Sequence, residues 1–137
     1  MAVYANEQQV YDCFRMLFAQ IEHYEPQAAE KLLKSRLAIR FLCSAPMAEI
    51  TIDARQRPLQ IHYGPSNVKP ELDITLAADT LHCLLLGELR LSKAMGNRLI
   101  KPKGPIFKVL ALGDLFCHAQ RYYPQVLQTK GLPLNCK

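Results

Sequence analysis

The stretch DITLAADTLHCLLLGELRLSKAMGNRLIKPKGPIFKVLALGDLF, Asp73 to Phe116, decides the reading of this chain. With the preceding Leu72 it alternates strictly, Leu72, Ile74 and Leu76 against Asp73 and Thr75, which predicts a half-buried strand. Asp79 then stands where a helix N-cap is wanted, and Gly87 stands where that helix must stop. Between them lie Leu81, Cys83, Leu84, Leu85 and Leu86, so the helix is apolar nearly all round. Ser92 is placed to cap a further turn, SKAMGN. RLIKPKG reads as a short strand whose Pro102 restricts it to an edge or a strand end. Gly104-Pro105 opens a last helix with Ile106, Val109, Leu110 and Gly113 in one stripe and Leu112 and Phe116 beside it, and Pro124 is expected to end or kink it. A helix that is apolar on more than one face buries both faces or lines a cavity. A dry apolar cavity accepts an apolar guest.

Working back toward the N-terminus, residues 1–35 read as two helices. Val10, Phe14, Leu17, Phe18 and Ile21 recur at helical spacing, Asn6 is placed as N-cap, and Pro26 fits the first turn of the second helix. The period then changes to two. Residues 36–64 alternate as RLAIRFLC, AEITIDA and LQIHYG, which predicts an antiparallel meander with one buried and one wetter face. The strand-helix-strand-helix half follows over 71–123. A chain of 137 residues, half of them apolar and 21% charged, is one domain with no repeat, 1–137.

Charge and cysteines narrow the function classes. The net charge of +5 is unevenly spread. No acidic residue falls between Glu88 and Asp114, whereas Arg90, Lys93, Arg98, Lys101, Lys103 and Lys108 all do. Such a run is usually a solvated face, and its functional reading is attraction to anionic headgroups or a phosphate-bearing ligand. Nucleic acid is not expected, because only Phe107 interleaves with the basic residues. Five cysteines form no CxxC pair, so no metal is expected. Cys13, Cys43, Cys83 and Cys117 read as reduced and mostly buried, and Cys136 as part of a frayed tail. MAVYANEQQVYD lacks a basic and apolar leader and no run suits a membrane span, which reads as cytoplasmic.

The strand leading into Ala78-Asp79, the leucine-rich helix, Leu86-Gly87-Glu88-Leu89, the step from Met95 to Ile100, and Lys103-Gly104-Pro105 before the last helix together resemble the sterol carrier protein type 2 family of sterol-binding or lipid-transfer domains. The specific match covers about a third of the chain. Pro102, Lys103 and Pro105 around Gly104 make this stretch stiffer and more basic than the family pattern. The resemblance implies an α+β fold. It would be a five-stranded, mostly antiparallel sheet covered on one face by helices, with an apolar tunnel between them. It implies binding or carriage of a sterol, fatty acid, fatty acyl-coenzyme A, isoprenoid or similar lipid without catalysis and without a cofactor. An accessory role beside an enzyme of a lipid or isoprenoid-quinone pathway is the alternative. The inward positions expected to meet the lipid are Leu76, Leu81, Leu84, Leu85, Met95, Ile106, Val109, Leu110 and Phe116. Lys101, Lys103 and Lys108 are placed to meet a headgroup or an anionic membrane surface.

Other chemistries rank lower. Cys117-His118 and His82-Cys83 are sequence neighbours, which on a helix point about 100° apart. A nucleophilic pair would need cross-pairing, Cys83 with His118 for example. No pair of carboxylates has spacing for acid–base work, and the glycines form no nucleotide-binding pattern.

Overall fold

The computed structural model describes residues 3–105, 108–109 and 112–136. The elements run α1 (Glu7–Tyr24), α2 (Pro26–Ser35), β1 (Ala38–Ser44), β2 (Ala48–Asp53), β3 (Gln60–Tyr63), β4 (Leu72–Ala77), α3 (Ala78–Leu86), α4 (Leu91–Gly96), β5 (Ile100–Lys103) and α5 (Leu112–Lys130). The fold is α+β. The five strands make one sheet in the order β3-β2-β1-β4-β5. Every neighbouring pair is antiparallel except β1 and β4, which run parallel. As Pro102 demands, β5 lies at an edge, where a missing N–H costs no ladder bond.

The alternation read from the sequence sorts the sheet into two faces. Ile39, Phe41, Cys43, Ile50, Ile52, Leu72, Ile74, Leu76 and Ile100 are all buried. Phe41 on the central strand meets Phe14 of α1 and Phe116 of α5, with ring centroids 6.2 and 6.4 Å apart. The helical stripe of α1 and that of α5 therefore close over the same strand. On the other face Arg40, Asp73 and Lys103 stand side by side across three strands, and the Arg40 Nε donates to Asp73 at 3.1 Å. Asn6 caps α1, accepting from the Gln9 amide at 3.0 Å, and Pro26 begins α2.

Several expectations need correction. Asp79 does not cap α3; its carboxylate accepts from the Val3 amide at 2.9 Å, while Ala77 occupies the N-cap position without a side-chain bond. Ser92 does not cap α4, whose N-cap is Arg90. Pro124 does not end α5, which runs on to Lys130. The reason is burial: Tyr123, Val126 and Leu127 on either side of it are fully inside, and that burial offsets one lost backbone bond. The predicted start of this helix at Ile106, with Leu110, lies outside the described residues.

Gly104 sets where β5 meets the start of β4. Its φ is +122°, and a Cβ there would overlap the backbone carbonyl of Glu71. Only glycine allows this close approach. Gly104→Ala is therefore expected to cost ~1–3 kcal/mol and lower the Tm by several degrees. Gly96→Ala is the control, because a Cβ there meets nothing within 4 Å. Thermal unfolding that leaves both variants at the parental Tm would contradict this reading of Gly104.

Candidate functional site

The walls of the site are α3 and α5. One hydrogen-bonded chain fixes their spacing from inside. Tyr4, His82 and Tyr123 are each no more than 2% exposed. The Nε2 of His82 lies 2.9 Å from the Asn135 carbonyl oxygen, which only accepts, so Nε2 carries the hydrogen. His82 Nδ1 must then accept, at 2.8 Å, from the Tyr123 hydroxyl. The Tyr123 oxygen in turn accepts from Tyr4. Burial holds the His82 pKa below its ordinary value and pushes both tyrosines up, so every member is neutral near pH 7. The chain thereby joins the N-terminal segment, α3, α5 and the C-terminal segment.

On the other side of the α3–α5 contact opens a cleft of about 310 Å³. Leu84 of α3, Leu89 and Leu91 of the following loop and turn, and Phe116 of α5 give it apolar walls. Gln120 and the exposed Arg90 and Cys117 also line it. Two glycines shape it. Gly87 ends α3 at φ +81°, and a side chain there would strike Gln120. Gly113 leaves open space where any other residue would carry a Cβ. A second concavity of about 240 Å³ lies between α2 and α5, lined partly by Lys31 and Asp114, which form an ion pair at 2.9 Å. It holds none of the residues expected to meet a lipid.

Of the expected contact residues, Leu84 and Phe116 line the cleft. Leu76, Leu81, Leu85 and Val109 are buried in the core, and Met95 is partly buried against that core. Ile106 and Leu110 lie outside the described residues. Lys101 and Lys103 are exposed on edge strand β5, and Lys108 is half-buried. Sequence reasoning missed Leu89, Leu91, Gly113 and Gln120. The signal was present in the Leu-Arg-Leu step after Gly87, which puts two apolar residues around one cation.

The cysteines differ from expectation. Cys83 and Cys136, 53 residues apart, form a disulfide with Cα atoms 5.1 Å apart, so Cys136 is not in a free tail. Cys117 is exposed rather than buried. Cys13 and Cys43 are buried thiols whose pKa values burial pushes up to about 11 and about 12, which makes them poor nucleophiles. The Cys83–His118 pairing does not assemble. Cys83 is in the disulfide, and His118 Nδ1 lies 2.7 Å from Glu25 at the α1–α2 corner.

The sequence pattern that defines the SCP-2 sterol transfer family matches residues 18–117. No curated protein matches the chain at a significant level. Among solved structures the chain is similar to the apo form of sterol carrier protein 2 from Yarrowia lipolytica, with 18% identity, a TM-score of 0.65, and coverage of 88% of this chain and 98% of that one. It is also similar to sterol carrier protein domain 2 of Helicoverpa armigera, at 22% identity and a TM-score of 0.63, covering 78% and 84% of the two chains. A third is the palmitated SCP2L2 of Aedes aegypti, at 15% identity and a TM-score of 0.58, covering 78% and 93%. At these identities the likeness to the solved structures speaks for the fold.

The buried chain predicts a pH dependence. A histidine whose pKa is lowered on folding contributes stability that is present above about pH 6.5 and is lost as the pH falls toward the folded value. The carboxylates lowered on folding, such as Asp53 beside the hydrogen-bonded Arg55 guanidinium, lose their contribution only near pH 4 and below. Urea unfolding between pH 7.5 and 5 is therefore expected to show stability declining with acid, and His82→Gln to flatten that slope. Equal slopes in the two proteins would show that His82 is not the group responsible.

Proposed function

The chain belongs to the SCP-2 sterol transfer family, and we propose that it binds a lipid with a long apolar body and an anionic end, without chemical conversion, in the cleft between α3 and α5. The observation that carries the reading is the pairing of apolar walls with an exposed cation in one cleft. Leu84, Leu89, Leu91 and Phe116 offer the body a dry surface, and the exposed Arg90 lines the same cleft. Each methylene buried there is worth roughly 0.8 kcal/mol, so affinity comes from chain length rather than from hydrogen bonds. Leu76, Leu81, Leu85 and Val109 belong to the same buried core as the wall residues Leu84 and Phe116, and Met95 packs against that core. A volume of about 310 Å³ is at the lower end for small-molecule sites. The cleft in this form takes one end of a long chain, and full entry requires its walls to separate into the apolar interior.

In the same reading the basic edge, Lys101 and Lys103 on β5 with Lys108 after it, meets an anionic membrane surface from which lipid is taken or to which it is given. A residue of this kind near a charged bilayer contributes about 1 kcal/mol. No described helix is long and apolar enough to cross a membrane, so such contact would be peripheral.

One variant series tests both parts. Gly113→Leu puts a side chain where a Cβ meets nothing within 4 Å, at a residue lining the cleft, and replaces a helical glycine, so its Tm is expected to hold or rise slightly. Its affinity for a fluorescent long-chain fatty acid is expected to fall at least about tenfold, or 1.4 kcal/mol. Lys101→Glu with Lys103→Glu is expected to leave that affinity intact while abolishing co-sedimentation with phosphatidylglycerol vesicles. Undiminished fatty-acid binding by Gly113→Leu would move the site elsewhere. Undiminished co-sedimentation of the double variant would remove β5 from the membrane contact.

A further inference from the structure

The C-terminal segment after α5 does not hang free. It turns at Leu132, whose amide donates to the Leu127 carbonyl at 2.9 Å, and runs back along α3. Its attachments there include a covalent bond and two hydrogen bonds. Cys136 is bonded to Cys83, the Asn135 carbonyl accepts from His82, and the Cys136 amide donates to Glu88 Oε1 at 3.2 Å. These anchor points lie on α3 or just past its end. Cys83 faces this segment, while its neighbour Leu84, about 100° around the helix, faces the cleft. Glu88 is likewise next to Gly87, which lines the cleft. The last turn of α3 is thus clamped between the C-terminal segment and the cleft.

We propose that the Cys83–Cys136 pair is a thiol–disulfide exchange site, whose reduction frees the C-terminal segment from α3 and lets the cleft open to its ligand. The latch itself is independent of what the cleft binds; the opening rests on the reading of the cleft as the lipid site. The two sulfurs are unequal. Cys83 is 7% exposed, whereas Cys136 is half-buried in a terminal segment that a small thiol can reach. A reductant of the dithiol class attacks Cys136 Sγ as its thiolate, the Cys83–Cys136 bond breaks, and Cys83 leaves as a thiolate that takes a proton. The second thiol of the reductant then attacks the mixed disulfide, releases Cys136, and closes the reductant into its own disulfide. Two electrons and two protons pass from reductant to protein.

After reduction the exposed hydrogen bond to Glu88 gives way to water at little cost, and the bond from the buried His82 must exchange the Asn135 carbonyl for water as the segment moves away. Segments held by few buried contacts open at low free energy. In a reducing compartment disulfides are transient and regulatory rather than permanent staples, which suits an accessible terminal sulfur. Among the described cysteines no other is placed to compete: Cys13 and Cys43 are buried, and Cys117 faces the cleft.

The test uses the full chain, purified without reductant, before and after dithiothreitol. Mass spectrometry counts the two added hydrogens, hydrogen exchange reads residues 80–88 and 131–136, and stopped-flow fluorescence follows uptake of a fluorescent long-chain fatty acid. Reduction is expected to speed exchange in both segments and to raise the uptake rate several-fold. Cys136→Ser should behave like the reduced protein from the start and ignore dithiothreitol. Cys83 and Cys136 found as thiols before treatment, or unchanged exchange after complete reduction, would overturn the latch. Faster exchange with unaltered uptake would overturn the opening of the cleft. Failure of the fatty acid to bind in either state would instead strike the proposed ligand site, leaving the exchange data to decide the latch.

Discussion

The hydrogen bond from the Tyr123 hydroxyl to His82 Nδ1 is the contact on which the arrangement of the second half depends. It ties α5 to α3 in the interior, at 2.8 Å, through two side chains that solvent does not reach. A buried polar group without a partner costs about 1–3 kcal/mol, so the imidazole and the two phenols are stable there only as a connected set. That requirement draws in Tyr4 at one end and the Asn135 carbonyl at the other. Segments near both ends of the described chain thus join one network around His82, beside the Asp79 bond to Val3 and the Cys83–Cys136 disulfide. The cleft is the space left on the far side of the same helix pair.

Function follows from how these two helices divide their faces. In α3 the apolar residues nearly encircle the axis. Leu81 and Leu85 enter the core, Leu84 reaches the cleft, and Cys83 meets the C-terminal segment. In α5 Phe116 serves both sides, packing on Phe41 of the sheet and lining the cleft. A ligand lying against Phe116 is therefore one ring away from the central strand.

The strands were readable because alternation on a half-buried sheet is a strong signal: Ile39, Phe41, Ile50, Ile52, Ile74 and Leu76 all face inward as their spacing requires. So was Gly104, where the backbone of Glu71 leaves no room for a side chain. The parallel pairing of β1 with β4 was not readable from spacing, since period two is the same in either direction. Pro124 does not end α5, because a local rule about backbone donors yielded to the burial of Val126 and Leu127. Asp79 misled because a long-range partner, the Val3 amide, replaced the local one. The disulfide lay beyond reach for the same reason: no spacing rule connects Cys83 to a residue 53 positions away. Of the described residues expected to meet a lipid, Leu84 and Phe116 line the cleft and the buried ones sit in the core, since periodicity says that a residue is inward but not whether it meets core or cavity.

The central claim is that the cleft between α3 and α5 holds a lipid. The most direct measurement is solvent extraction of the gently purified chain followed by mass spectrometry of the extract, beside the same extraction of Gly113→Leu. A long-chain anionic lipid recovered in near-stoichiometric amount from the parent, and much reduced in the variant, is the outcome expected. An extract without lipid from both proteins, together with no binding of added fatty acid by the parent, would contradict the claim.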